Sequence, residues 1–269
     1  MRQAGRVGIC GAALLTLLFG AQVRAMDAER EVEKLMRSQY NVKSRDDKGW
    51  HIQIWGADPV DNSYTIYSIT HKKISTLRGE RLYVFISGSR DYLTSPAAPG
   101  IGGAFILEEH DGQVSLVAGA NKMPFGGNET GPHKATLMLF GPNQFYGWVV
   151  EDGAASQGFI DSWKTIILPR GRIIVNAGRV NSHSSNSGFC DDEEASKGDY
   201  WTKRLKTCRS LDMRMKIEDS DKSVKIFPLS VRTTGTRGGQ PIRPTSVLIT
   251  FDEKSARYKI PKTLREPTY

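Results

Sequence analysis

The chain has 269 residues, of which 39% are apolar, 25% charged and 9% aromatic, and its formal net charge is +8. That balance excludes a disordered polar polymer and a multi-span membrane protein, and it leaves enough apolar material to bury a core. The length suits one large β domain once an amino-terminal leader is set aside.

The leader comes first. Arg2 and Arg6 precede an apolar run over residues 9–20 (ICGAALLTLLFG), and Val23-Arg24-Ala25 offers the small and branched residues that a signal peptidase accepts. The run is shorter than the roughly 20 residues that cross a bilayer, and charged residues follow from Asp27. We therefore expect residues 1–25 to be a cleaved secretory signal, with no stable membrane anchor and a periplasmic mature chain over residues 26–269. Cys10 opens the apolar run instead of following it, which argues against lipidation. Translation starting at Met26 would instead give a cytoplasmic protein.

In residues 27–40, Val32, Leu35, Met36 and Tyr40 recur at three- and four-residue spacing, which predicts a helix packed on the body. From Trp50 onward short runs rich in branched and aromatic residues alternate with Gly, Pro, Asn and Asp. They predict strands over 50–55, 64–69, 81–87, 104–108, 114–118, 135–140, 145–151, 165–168 and 172–176, then 211–217, 224–233 and 247–251. Asp111-Gly112 is a strong hairpin signal, because a primed turn needs positive φ. Gly141-Pro142-Asn143 and Asp252 to Ser255 mark two further turns. The expected fold is mainly β, an antiparallel sandwich or a barrel-like domain, with an amino-terminal helix.

Residues 181–208 read as a polar surface excursion containing a short helix over 192–208, whose leading acids and trailing bases complement the helix dipole. With Cys10 lost in the leader, Cys190 and Cys208 form an even pair 18 positions apart. In an oxidising compartment they predict a disulfide, worth roughly 3 kcal/mol in the chain-entropy model. Four consecutive acids lack the alternating ligand spacing of a calcium loop, so no metal is expected there. The run Gly100-Ile101-Gly102-Gly103 reads as a flexible strand entry, since the strand, turn and helix of a dinucleotide fingerprint are missing.

The sequence contains no HExxH, GxSxG, SxxK, GxxxxGK[ST] or paired CxxC, and no catalytic residue, metal or cofactor is assigned. His51 reads as half-exposed on a strand, and His71 and His110 neighbour turns. His133, in the glycine-rich loop 121–133, and His183, in the polar excursion, read as loop residues that a rigid scaffold could display. Gln144 to Trp148 is an aromatic stretch suited to core packing or to stacking a ligand. Beyond Lys197 basic residues outnumber acidic ones about two to one. They are spaced singly along strands, without the basic clusters and stacking aromatics that nucleic-acid binding requires.

Three functions remain open. The leading one is an immunity protein that neutralises a co-encoded toxin delivered to the bacterial envelope, with anchors at Phe125, Asn128 and His133 and a second patch at Asn181 and His183. The others are an envelope ligand-binding or accessory protein and a hydrolase whose triad is assembled in space.

Overall fold

The computed structural model describes residues 26–54, 63–76, 79–91, 99–126, 131–132, 134–156, 158–190 and 208–265. The leader and the helix expected over 192–208 lie outside the described residues.

Helix α1 (Ala28–Gln39) forms where the periodicity placed it. The Asp27 side chain accepts a hydrogen bond from the Arg30 amide at 3.3 Å, Glu29 and Glu31 sit in the first turn, and Arg37 closes the last. Val32, Leu35 and Met36 form its buried stripe, each worth about 1.5–3 kcal/mol of apolar burial.

Six strands follow in an antiparallel meander: β1 (Asn41–Arg45), β2 (Trp50–Gln53), β3 (Ser63–Thr76), β4 (Gly79–Arg90), β5 (Gly100–His110) and β6 (Gln113–Phe125). The β5–β6 hairpin turns at Asp111 (φ 52°) and Gly112 (φ 76°), the two positive values its primed turn requires. A second series comprises β7 (Lys134–Gly141), β8 (Phe145–Ser156), β9 (Phe159–Arg170), β10 (Ile173–Ser185), β11 (Arg209–Ile217), β12 (Leu229–Arg237), β13 (Gln240–Pro241) and β14 (Thr245–Ile249). A small hairpin, β15 (Phe251–Asp252) with β16 (Arg257–Tyr258), ends the β structure.

The two series are one sheet by a narrow margin. They join through the parallel bridge between Ile173 of β10 and Gly119 of β6, beside a hydrogen bond from the Gly119 amide to the Arg172 carbonyl. Residue alternation explains the layering, because successive strand side chains point to opposite faces. Leu82, Val84 and Ile86 of β4 join a cluster with Met36, Leu35 and Tyr40 under α1, whereas Tyr83 and Phe85 point the other way. There they meet Trp148 and Val150 of β8 and Ile167 of β9. The sheet thus folds back on itself, and β4–β6 face β8–β10 across a shared core, as in a sandwich. The intervening residues Val149, Ile166 and Leu168 enter a third cluster with Met213, Leu229, Val231 and Ile249 from β11, β12 and β14. Strands buried on both faces lose the apolar–polar alternation of a half-exposed sheet, which is why β5 is buried over nearly its whole length.

The barrel-like alternative is corrected. Strand β1 pairs with β2, and β13 and β14 pair with β12, so the two ends of the sheet do not meet. The strands also run longer than their apolar segments, because polar residues continue the ladders: β3 extends through His71 to Thr76 and β10 through Asn181 to Ser185. Cys190 and Cys208 form the expected disulfide, with Cα atoms 6.1 Å apart.

Candidate functional site

Of the five residues expected to bind, Asn128 and His133 lie outside the described residues. The other three are strand residues, which corrects their placement in loops. Phe125 ends β6, is 5% exposed, and packs edge-to-face on Phe85 with ring centroids 5.9 Å apart. A Cβ on Gly102 would lie 2.5 Å from the Phe125 ring, so the glycine run of β5 makes room for an aromatic and is not a flexible entry. Phe125 is a core residue because the ladder of β6 with β5 continues to the Gly100–Phe125 pair, carrying the ring between the layers.

Asn181 and His183 both lie on β10, and a register shift between them separates their environments. Asn181 pairs with Trp163 and is 3% exposed. His183 stands half-exposed between Ser162 of β9 and Asp212 of β11, in register with both. Its Nδ1 is 2.9 Å from Asp212 Oδ1. The adjacent rung pairs Asp161 with Ser184, where Asp161 Oδ1 and the Ser184 hydroxyl are buried and lack a hydrogen-bond partner among the described residues. Beyond it, Ile160 is 47% exposed.

One carboxylate ties the two candidate regions together. Asp152 on β8 accepts hydrogen bonds from the Gly126 amide, at the root of the glycine-rich loop, and from Trp163 Nε1 at 3.3 Å. Trp163 pairs across β9 with both Asp152 and Asn181, and the Arg179 guanidinium lies 4.5 Å from its ring centroid. The roots of loop 121–133 and of the polar excursion therefore share one end of the sandwich. The Cys190–Cys208 bridge and a paired Asn186 brace that end: the Arg209 amide donates to Asn186 Oδ1 at 2.7 Å, and the Asn186 amide donates to the Arg209 carbonyl. Sequence reasoning missed Asp152, Trp163 and Arg179. The only legible signal was Trp163 inside a segment whose polar neighbours Asp161, Ser162 and Lys164 obscured the strand.

His51 makes a second polar chain, on β1–β4. Its Nε2 is 2.9 Å from Asp46 Oδ2 and its Nδ1 is 3.0 Å from Thr65 Oγ1, while the Thr65 hydroxyl donates to Asp91 at 2.6 Å. The His51 hydrogen bond holds the Asp46 carboxyl below its ordinary value. These are the group types of a nucleophilic triad, but the Thr65 proton is committed to a carboxylate, so His51 does not activate that hydroxyl.

Tyr146 of the aromatic stretch lines a cavity of about 210 Å³ with Arg81, Tyr83, Ile106, Asn143 and Phe145, and its ring meets Tyr83 edge-to-face at 5.7 Å. Burial raises the Tyr83 pKa above its ordinary value. Trp148 turns instead into the core, 2% exposed. Among the described residues no group of three or more His, Cys, Asp or Glu could hold a metal ion, and no helix is long and apolar enough to cross a membrane.

Comparison with protein-family models, curated proteins and solved structures finds no match to this chain. The functional reading accordingly rests on the geometry above.

Proposed function

We propose that this chain is an exported, stoichiometric protein-binding protein, an immunity protein that occludes a co-encoded toxin in the periplasm. The observation that carries the reading is the convergence at Asp152, which puts the roots of two polar segments at one rigid, disulfide-braced end of a β scaffold. Occlusion needs no turnover; a few anchors supply affinity while surrounding charges set on-rate and partner choice. Ile160, His183 and Asp212 give that end an exposed apolar side chain beside a hydrogen-bonded pair, and Arg179 over Trp163 is a residue combination enriched among interface anchors. Phe125 has no place among the anchors, since its ring belongs to the core.

The test is co-expression with the neighbouring toxin directed to the periplasm, using the full chain, a chain begun at Met26, and a full chain carrying His183→Ala with Asp212→Ala. The full chain protects growth, and the other two do not. Protection by the Met26 chain would make compartment irrelevant, and protection by the folded double variant would move the inhibitory surface elsewhere. A second reading, a small-molecule binding or accessory protein of the envelope, is favoured by the cavity under Tyr146 and Tyr83. At about 210 Å³ it is smaller than the roughly 300–1,000 Å³ of most ligand pockets. It takes the lead if wild type gives no protection.

A further inference from the structure

We propose that hydrolysis of the Ala25–Met26 bond creates an ammonium group for which the folded protein holds a prepared seat, with Glu80 as its counter-ion. The Met26 nitrogen donates to Glu80 Oε2 at 3.0 Å. Lys73 Nζ reaches the Met26 carbonyl at 3.0 Å and the same Glu80 oxygen at 3.2 Å, so both ends of the Met26 backbone are held by one ion pair on β3 and β4. The Met26 side chain is 5% exposed, in the cluster with Leu35, Met36 and Leu107. Asp27, the next residue, caps α1. Residue 26 is thus locked into the fold from three directions, and it is the residue that cleavage after the Val23-Arg24-Ala25 motif would leave first.

The chemistry changes at that nitrogen alone. A signal peptidase breaks the Ala25 C–N bond with one water: the oxygen stays on Ala25 as a carboxylate, and the Met26 nitrogen gains two hydrogens and a positive charge. An amide offers Glu80 one neutral donor, whereas an ammonium offers a charged one, so cleavage turns a hydrogen bond to a carboxylate into an ion pair and adds the attraction between opposite charges. Glu80 then balances two cations, Lys73 and the new terminus. Processing consequently stabilises the mature chain relative to its precursor, and the gain is centred on β3, β4 and the start of α1.

The inference rests on the export reading only for the agent that cuts, and the seat is tested apart from it. Four purified chains are compared by thermal unfolding: one begun at Met26 and one keeping residues 23–25 before it, each with Glu80 or with Glu80→Gln. With Glu80 present the shorter chain melts about 2–4 °C higher, and with Glu80→Gln the two melt together, because Lys73 loses its partner equally in both. Coincident melting of the two Glu80 chains overturns the seat, and that pair needs no substitution, so it decides even if Glu80→Gln fails to fold. Terminal sequencing of the exported protein settles the cleavage separately: a first residue at Met26 supports the proposal, and any other overturns that half of it.

Discussion

The two halves of the sheet treat their polar residues differently. In the first half, the rim of β1–β4 is stitched into chains: Asp46–His51–Thr65–Asp91, Lys73–Glu80 at Met26, and Arg81 with Glu108 at 2.8 Å. The second half has such pairs too, Ser230–Glu218–Lys216 and Lys225–Glu253 among them, but there Arg214 and Arg232 also face each other across β11 and β12, both exposed, with no carboxylate bound to either among the described residues. Like charges directly opposite weaken a sheet. On β9 and β10, Asp161 Oδ1 and Ser184 Oγ are buried with no hydrogen-bond partner among the described residues. Arg90 Nε on β4 and Trp148 Nε1 on β8 are buried in the same way, so atoms of this kind occur in both halves, and the facing arginines are what distinguishes the second. Under the function proposed above, the second half would present the partner surface.

The largest effects test whether those halves form one unit. Phe105 under α1 and Phe140 in the second series are each 0% exposed in separate clusters, and truncation of either to Ala should cost about 3–5 kcal/mol. A single unfolding transition, lowered in both variants, is expected from the core that Tyr83, Phe85, Trp148 and Ile167 share. Two transitions, each sensitive to one variant, would divide the halves into independent domains.

Next in size is the disulfide. Cys208→Ser should lower stability by about 2–4 kcal/mol while leaving the α1 half protected against hydrogen exchange, because the bridge lies wholly within the second series. Loss of protection in α1 would show that the disulfide sustains the whole sheet.

Part of the fold is readable from the sequence, and the unread part has a physical cause. The α1 stripe, the Asp111-Gly112 turn and the cysteine pair are local signals, set by residues within one turn of each other or by composition. Strand β1 was missed because NVKSR is an edge strand with exposed charged residues and no apolar alternation to announce it. The polar ends of β6 and β10 read as loops because Asn181 and Ser182 lack β character of their own; β9 recruits Asn181 and His183 through its ladder, with Ser182 at the register shift between them. Phe125 then looked like a loop anchor, although its neighbours are Phe85 and Gly102. The fold-back of the sheet and the convergence on Asp152 depend on contacts between Gly126, Asp152 and Trp163, which no local pattern encodes.

The smallest expected effect is the pH dependence contributed by Asp46 in the first half. Because the His51 hydrogen bond depresses the Asp46 pKa, the stability it contributes is fully present above the ordinary Asp value of about 3.9 and is lost as pH falls through the lowered one. Wild type should therefore melt above Asp46→Asn at neutral pH, and the two should converge on acidification below about pH 4. A difference that persists at low pH would assign the effect to packing instead of charge.

The central proposal, that the second half presents a partner surface, is tested most directly by hydrogen exchange on the protein mixed with the toxin that the proposed function requires. The account predicts slowed exchange in the segments of β9, β10 and β11 that carry Trp163, His183 and Asp212, with α1 and β1–β4 unchanged. Protection confined to α1 and β1–β4 would contradict it.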